Sequence, residues 1–213
     1  DAPAAAGTLY FDAMLLSAGN INVSGNTIGS QSTNGNIKLT NTSGTNGLGM
    51  FGIDMRGVAG SITNNTVGGF TYAGGNTGTL IMVGINEGST TATSVINVTG
   101  NTIGGSVSNS MYDSRGGVTI GQFTGIRSTQ AGPTALCSYS NNTVRNMTDL
   151  GSGGGFMTGI SHSGATPVSI NNCTINDLNS GSSLAGGFSG TMTMCGISLT
   201  STGVGASISY NTI

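Results

Sequence analysis

One phrase recurs along this chain, spelled SITNNTVGG at 61–69 and INVTGNTIGG at 96–105. Aligned on its last branched residue, it gives Ile28, Val67, Ile103, Val144, Ile175 and Ile213, at intervals of 39, 36, 41, 31 and 38 residues. Five positions before each anchor stands Val23, Ile62, Val98, Tyr139, Ile170 or Ile208. Two positions before each stands Asn26, Asn65, Asn101, Asn142, Cys173 or Asn211, so a single Cys interrupts a file of Asn. Self-similarity at a period of roughly 20–50 residues marks solenoids, propellers and repeat arrays.

A second phrase, Gly-Ile, interleaves with the first at Gly52-Ile53, Gly84-Ile85, Gly125-Ile126, Gly159-Ile160 and Gly196-Ile197. Two residues before each Gly comes Met50, Met82, Phe123, Met157 or Met194. Ala13-Met14 reads as a degenerate first copy, because Met14 precedes Ile28 by the spacing that separates Ile53 from Val67. The steps from each anchor to the next Gly-Ile isoleucine are 25, 18, 23, 16 and 22 residues. Their alternation predicts a two-coil super-repeat, with extra residues such as NGNIKLTNTSG in the long members.

These files require a geometry in which each repeat returns to the same place. A parallel β-solenoid supplies it, stacking coils at about 4.7–4.9 Å. The Ile/Val files would point inward, and the Met/Phe file would fill the same interior, where Met adapts to irregular gaps. Asn tolerates left-handed backbone angles at a bend. Its amide both donates and accepts, so stacked Asn residues can bond to the coils above and below. The expected fold is thus all-β, a solenoid of about five to six coils spanning residues 1–213 as one segment, with residues 1–12 an irregular start. An Ig-like sandwich and a β-propeller are the competing architectures. Sandwiches do not repeat one side-chain phrase in register, and propeller blades carry aromatic signatures, whereas aromatics here are 5% with no Trp.

Composition narrows the function classes. Charged residues are 6% of the chain and the net charge is −2, while 36% is hydrophobic. Disorder goes with low hydrophobicity and high net charge, so a packed β protein fits better. The basic residues Lys38, Arg56, Arg115, Arg127 and Arg145 are scattered, which argues against nucleic acid. No apolar run approaches the ~18 residues of a membrane span. The opening DAPAAAG lacks the pattern of a signal peptide, so it reads as a mature terminus or a cut within a longer chain. Cys137, Cys173 and Cys195 are odd in number and fit no metal spacing, which predicts free thiols.

The phrases xIxxNTIxx and GIxxxxxxxxxI resemble the repeats of the pectate-lyase-like parallel β-helix superfamily, and the resemblance implies a right-handed coil. SGNTIGSQSTNGNIKLTNTSGTNGLGMFGI and NNTVRNMTDLGSGGGFMTGI are similar to the Ser/Thr/Asn-rich repeats of large secreted surface proteins of Bacteroidota. That likeness implies an extracellular or cell-surface location. The chain stops in mid-phrase at Ile213 with no visible cap, which predicts a segment of a longer rod or ends covered by neighbouring copies.

Enzymes of that superfamily use carboxylate clusters, and this chain has seven acids in all. Asp54 and Arg56 follow one Gly-Ile, Asn86 and Glu87 the next, and Arg127 the one after. Asp54, Arg56, Glu87 and Arg127 are therefore expected on one outer face, as a sugar-contacting patch or a solvated ion-pair cluster. His162 is the only His and shares its file position with Met55, Glu87, Ser128 and Leu199, so no metal or catalytic set is expected around it. Cys137 reads as inward-facing core, and Cys195 shares a packing file with Phe51, Val83, Thr124 and Thr158. The Gly-rich runs introduce no helix and so make no phosphate loop.

No cofactor and no catalytic residue is expected, and Asn26, Asn65, Asn101, Asn142 and Asn211 are read as a structural ladder. The leading functional expectation is a non-catalytic structural or adhesive segment, with flanking coils, copies of itself and surface glycans as partners. A polysaccharide-binding or polysaccharide-degrading protein and an ice-binding solenoid are the alternatives. The Thr residues of TMTM and TATS show no regular file, which counts against ice.

Overall fold

The computed structural model describes residues 9–41, 44–45, 47–56, 59–75, 77–88, 95–115, 120–129, 136–150, 156–180, 193–200 and 205–213. The chain is an all-β parallel β-helix. Four parallel sheets run along it, of six, six, five and five strands. Among the described residues, each of the first five coils contributes one strand to each sheet in turn, and the sixth contributes strands to the first two.

The long sheet stacks Leu9–Leu16, Leu48–Arg56, Leu80–Gly88, Ile120–Ser128, Phe156–His162 and Thr193–Leu199. Here the Gly-Ile phrases align, with Met14, Ile53, Ile85, Ile126, Ile160 and Ile197 in register. The second sheet stacks Asn20–Ser24, Ala59–Thr63, Ile96–Thr99, Cys137–Ser140, Val168–Asn171 and Ala206–Ser209. Its register joins Val23, Ile62, Val98, Tyr139, Ile170 and Ile208 in one unbroken file. The third sheet holds the Thr-Ile/Val pairs Thr27–Ile28, Thr66–Val67, Thr102–Ile103, Thr143–Val144 and Thr174–Ile175, extended by a bridge from Thr174 to Thr212. The fourth holds Ile37–Thr40, Phe70–Ala73, Met111–Asp113, Met147–Asp149 and Leu178–Ser180.

Residues 9–12, read as part of an irregular start, belong instead to the first long-sheet strand, Leu9–Leu16. Residues 1–8 lie outside the described residues.

The interior is mostly apolar, with a few buried polar and charged side chains. Ile62, Met82, Val98, Ile103, Phe123, Val144, Met157 and Ile170 are all fully buried. Burying one such side chain contributes roughly 1.5–3 kcal/mol. The two sequence phrases meet across this core. A Cβ built on Gly84 would lie 2.5 Å from Ile103 Cγ2, and on Gly125 2.4 Å from Val144 Cγ1. The glycines of the Gly-Ile phrase therefore make room for the branched anchors of the Asn-Thr phrase in the same coil.

The bend between the second and third sheets divides its work between two neighbours. Gly25, Asn64, Gly100, Asn141, Asn172 and Tyr210 take the left-handed conformation there, with φ between 50° and 69°. The residue after each one, the ladder position, holds the hydrogen bonds instead.

In the first and third coils the long step has a local cause, whereas in the fifth, also long, only two residues separate Ile175 from Leu178. Eight residues separate Ile28 from Ile37 and seven separate Ile103 from Met111, whereas two separate Val67 from Phe70. NGNIKLTNTSG is thus not an insertion throughout, since Ile37–Thr40 is a regular strand paired with Phe70–Ala73. The extra residues of the first and third coils meet across the second. Ser106 donates its backbone N–H and its hydroxyl to the Gln31 carbonyl, at 2.7 and 3.0 Å, and Asn34 Nδ2 donates to the Ser108 carbonyl at 2.8 Å. They pass over Gly68 and Gly69, where a Cβ on Gly68 would come within 2.8 Å of Ser110 Oγ.

Candidate functional site

The outer face of the long sheet carries a chain of polar contacts that climbs three coils. Arg56 pairs with Asp54 of its own strand. Asn86 Nδ2 donates to Asp54 Oδ1 at 2.6 Å, and Arg127 Nε donates to Asn86 Oδ1 at 2.7 Å. Arg127 also donates to Gln122 Oε1 at 2.6 Å. Register explains the climb: Asp54, Asn86 and Arg127 form one outward file.

Aromatic rings flank the file. Phe51 stacks on Tyr10 with centroids 6.2 Å apart, and the Arg127 guanidinium sits 5.7 Å from the Phe51 centroid. Tyr10, Phe51, Arg56, Ile81, Asn86 and Arg127 are among the residues lining a depression of about 290 Å³. Tyr10 and the Arg56 side chain are about half exposed, at 54% and 49%, whereas Asp54 is fully buried.

Asp12 completes the acidic side. Burial first, and then the neighbouring Asp54 charge, push its carboxyl above the ordinary carboxylate range, and the two side chains are hydrogen-bonded. Arg56 is held above its ordinary value, chiefly by its hydrogen bond to Asp54. Burial acts the opposite way on Arg127 and lowers it. Like charges in contact disfavour double ionisation, so Asp12 holds its proton more readily than a lone carboxyl. Asp54 is engaged on both oxygens by Arg56 and Asn86. The arrangement presents donors and ring faces to a ligand and keeps its carboxylates turned to its own residues.

The expected patch is therefore corrected at one member. Asp54, Arg56 and Arg127 come together, bridged by Asn86, but Glu87 does not join them. One residue after Asn86, it faces the opposite side of the sheet and is fully buried in the solenoid. Its file runs Met55, Glu87, Ser128, His162, all inward. Tyr10, Phe51 and Gln122 were not part of the sequence reading of this face. The signal for them was present, since Tyr10 and Gln122 fall in one file with Gly49 and Ile81.

The ladder positions are joined by side-chain amides. Asn26, Asn65 and Asn101 each donate both backbone N–H and Nδ2 to the Oδ1 of the next Asn, at 2.9–3.1 Å. Asn65, Asn101, Asn142 and Asn211 each donate Nδ2 to the carbonyl of an inward residue one coil earlier: Val23, Ile62, Val98 and Ile170. Cys173 keeps the place without the chemistry. Its thiol lies 3.6 Å from the Tyr139 carbonyl and 3.8 Å from Asn142 Nδ2, while its backbone N–H donates to Asn211 Oδ1 at 2.8 Å.

All three cysteines are free, Cys137 and Cys173 buried and Cys195 partly so. A second charged group lies inside the coil. Arg115 is paired with Asp113 through Nε and Nη2, donates to the Gly78 carbonyl at 2.9 Å and lies 4.4 Å from the Tyr72 ring centroid. Among the described residues, no three His, Cys, Asp or Glu gather as metal ligands.

Comparisons with protein-family models, curated proteins and solved structures find no match to this chain.

Proposed function

We propose that this chain is a structural or adhesive β-solenoid segment of a secreted cell-surface or filament protein and acts without catalysis. The observation that carries this reading is the register of the second sheet, in which equivalent positions of six successive coils stack in one continuous file. Backbone bonds and the amide ladder both run along the axis, so a pull along the rod loads many hydrogen bonds together. Its outer files in the second and third sheets are Ser, Thr and Asn, a surface that salt and pH barely alter. The likeness to pectate-lyase-like repeats and to Bacteroidota surface proteins belongs to the same proposal. Electron microscopy of the purified protein and binding assays on glycan-coated surfaces test it. Elongated particles that associate end to end, or retention on the surface, are expected. Compact particles that bind nothing would refute it.

A polysaccharide-binding reading is favoured by the depression beside Tyr10, Phe51, Arg56 and Arg127. Titration with neutral and acidic polysaccharides, comparing wild type with Tyr10→Ala, tests it, and equal retention of the two proteins would end it. The ice-binding reading gains one observation. The Thr of the Asn-Thr phrase forms a regular file, Thr27, Thr66, Thr102, Thr143, Thr174 and Thr212. Thr91, Thr93 and Thr191 of TATS and TMTM lie outside the described residues. Thermal hysteresis in dilute solution decides that reading.

A further inference from the structure

Four polar side chains that none of these readings uses meet inside the solenoid. Glu87, Ser128 and His162 occupy one file on three successive coils, and Tyr139 reaches them from the second sheet. All four are 0% exposed. Tyr139 Oη and Glu87 Oε2 are 2.6 Å apart. The Ser128 hydroxyl is hydrogen-bonded to Tyr139 and lies 3.0 Å from His162 Nδ1. The far ring nitrogen, Nε2, lies 3.2 Å from the Thr166 carbonyl oxygen.

A carbonyl can only accept, so Nε2 carries a hydrogen. The directions of the other three contacts are then linked. In one arrangement the Glu87 carboxylic acid donates to Tyr139, Tyr139 to Ser128, and Ser128 to Nδ1 of a neutral imidazole. In the other an imidazolium donates from Nδ1 to Ser128, Ser128 to Tyr139, and Tyr139 to a Glu87 carboxylate. Moving three protons by one contact each converts one into the other, and none enters or leaves. Both place one hydrogen in every contact, and both have zero net charge. A further proton leaves a net positive charge in the core. One proton fewer leaves a net negative charge and a Ser–Tyr contact with no hydrogen. An uncompensated buried charge is heavily penalised.

We infer that Glu87 and His162 hold one proton between them through the hydroxyls of Tyr139 and Ser128, and that this proton clamps the third, fourth and fifth coils together. The clamp loosens when that proton is removed or a second one is added. Among the described residues, the thiol of Cys137, buried beside Tyr139, is a further titratable group acting on the chain of contacts, and the flanking file members Met55 and Leu199 are apolar. Burial lowers the His162 imidazole and raises the Tyr139 phenol, in keeping with the arrangement that has a neutral ring.

The test is unfolding equilibrium between pH 5 and 8, below the ordinary thiol range of about 8.5. In the unfolded chain Glu titrates near 4.3 and His near 6.5, so the unfolded pair carries one proton between those values and none above about 6.5. The native pair keeps its proton. The wild-type unfolding constant should therefore rise up to about tenfold per pH unit above pH ~6.5. In Glu87→Gln the amide donates permanently to Tyr139 and the ring stays neutral. Its unfolding constant should instead rise as pH falls below ~6.5, with up to about the same steepness, and stay level above it. Slopes of the same sign in the two proteins overturn the inference. If the variant does not fold, the wild type still decides through ¹⁵N spectra of its single His. Ring nitrogens that do not titrate from pH 5 to 8 in the native protein support a retained proton, and an ordinary titration near 6.5 overturns it.

Discussion

Cys173 shows how much of a ladder lies in one side chain. Every other described ladder position supplies an amide, which gives two donors and an acceptor in one plane. The thiol supplies only weak contacts, at 3.4, 3.6 and 3.8 Å. Cys173→Asn should restore the acceptor facing Asn142 and a full donor to the Tyr139 carbonyl. The expected gain is about 1 kcal/mol, within the usual net worth of a hydrogen bond, and denaturant unfolding measures it. Glu87 marks the limit of residue-level reading. Its file with Met55, Ser128 and His162 was legible from spacing, but which side of the sheet the file faces was not. Phase changes at Gly52, which the ladder register skips: Met50 and Gly52 face the core before the change, Ile53 and Met55 after it. One step in phase moved Glu87 from an expected surface patch to the core. The bridging role of Asn86 followed from the same step.

Strands pair as the phrases imply, because identical residues in successive repeats can only align in parallel. What spacing alone left open was why Gly and Ile/Val alternate as phrases. The contact between them answers this: Gly125 sits where a methyl would strike Val144 Cγ1 at 2.4 Å and the Gly159 carbonyl oxygen at 2.7 Å. Gly125→Ala should cost roughly 1–3 kcal/mol through overpacking. Adding Val144→Ala should recover part of that loss, and a double-mutant cycle should report a coupling of about 0.5–1.5 kcal/mol. Additive losses would show that the two phrases do not meet. The fourth sheet was the least legible element. Its members IKLT, FTYA, MYD, MTD and LNS share little spelling, and they begin at no common distance behind the anchors: eight and seven residues intervene after Ile28 and Ile103, and two after Val67, Val144 and Ile175.

At the scale of the molecule, packing and neutral hydrogen bonds hold the fold, and charge contributes little. Among the described residues there are two ion pairs, Arg56–Asp54 and Arg115–Asp113, and the second is buried. Exposed pairs contribute about 0–1 kcal/mol and are screened by salt. Raising sodium chloride from about 0.05 to 1 M, where screening lengths fall from over ~10 to ~3 Å, should change unfolding free energy by less than about 1 kcal/mol. A larger loss would point to electrostatic attractions these residues do not account for. Solenoids are ordinarily sums of nearest-neighbour terms, so coils can peel away one at a time. The strap from Gln31 and Asn34 to Ser106 and Ser108 breaks that independence. It couples next-nearest neighbours and encloses the coil between them. Fraying from the N-terminal side must then surrender three turns at once, which should appear as a block of amides exchanging with a common protection factor.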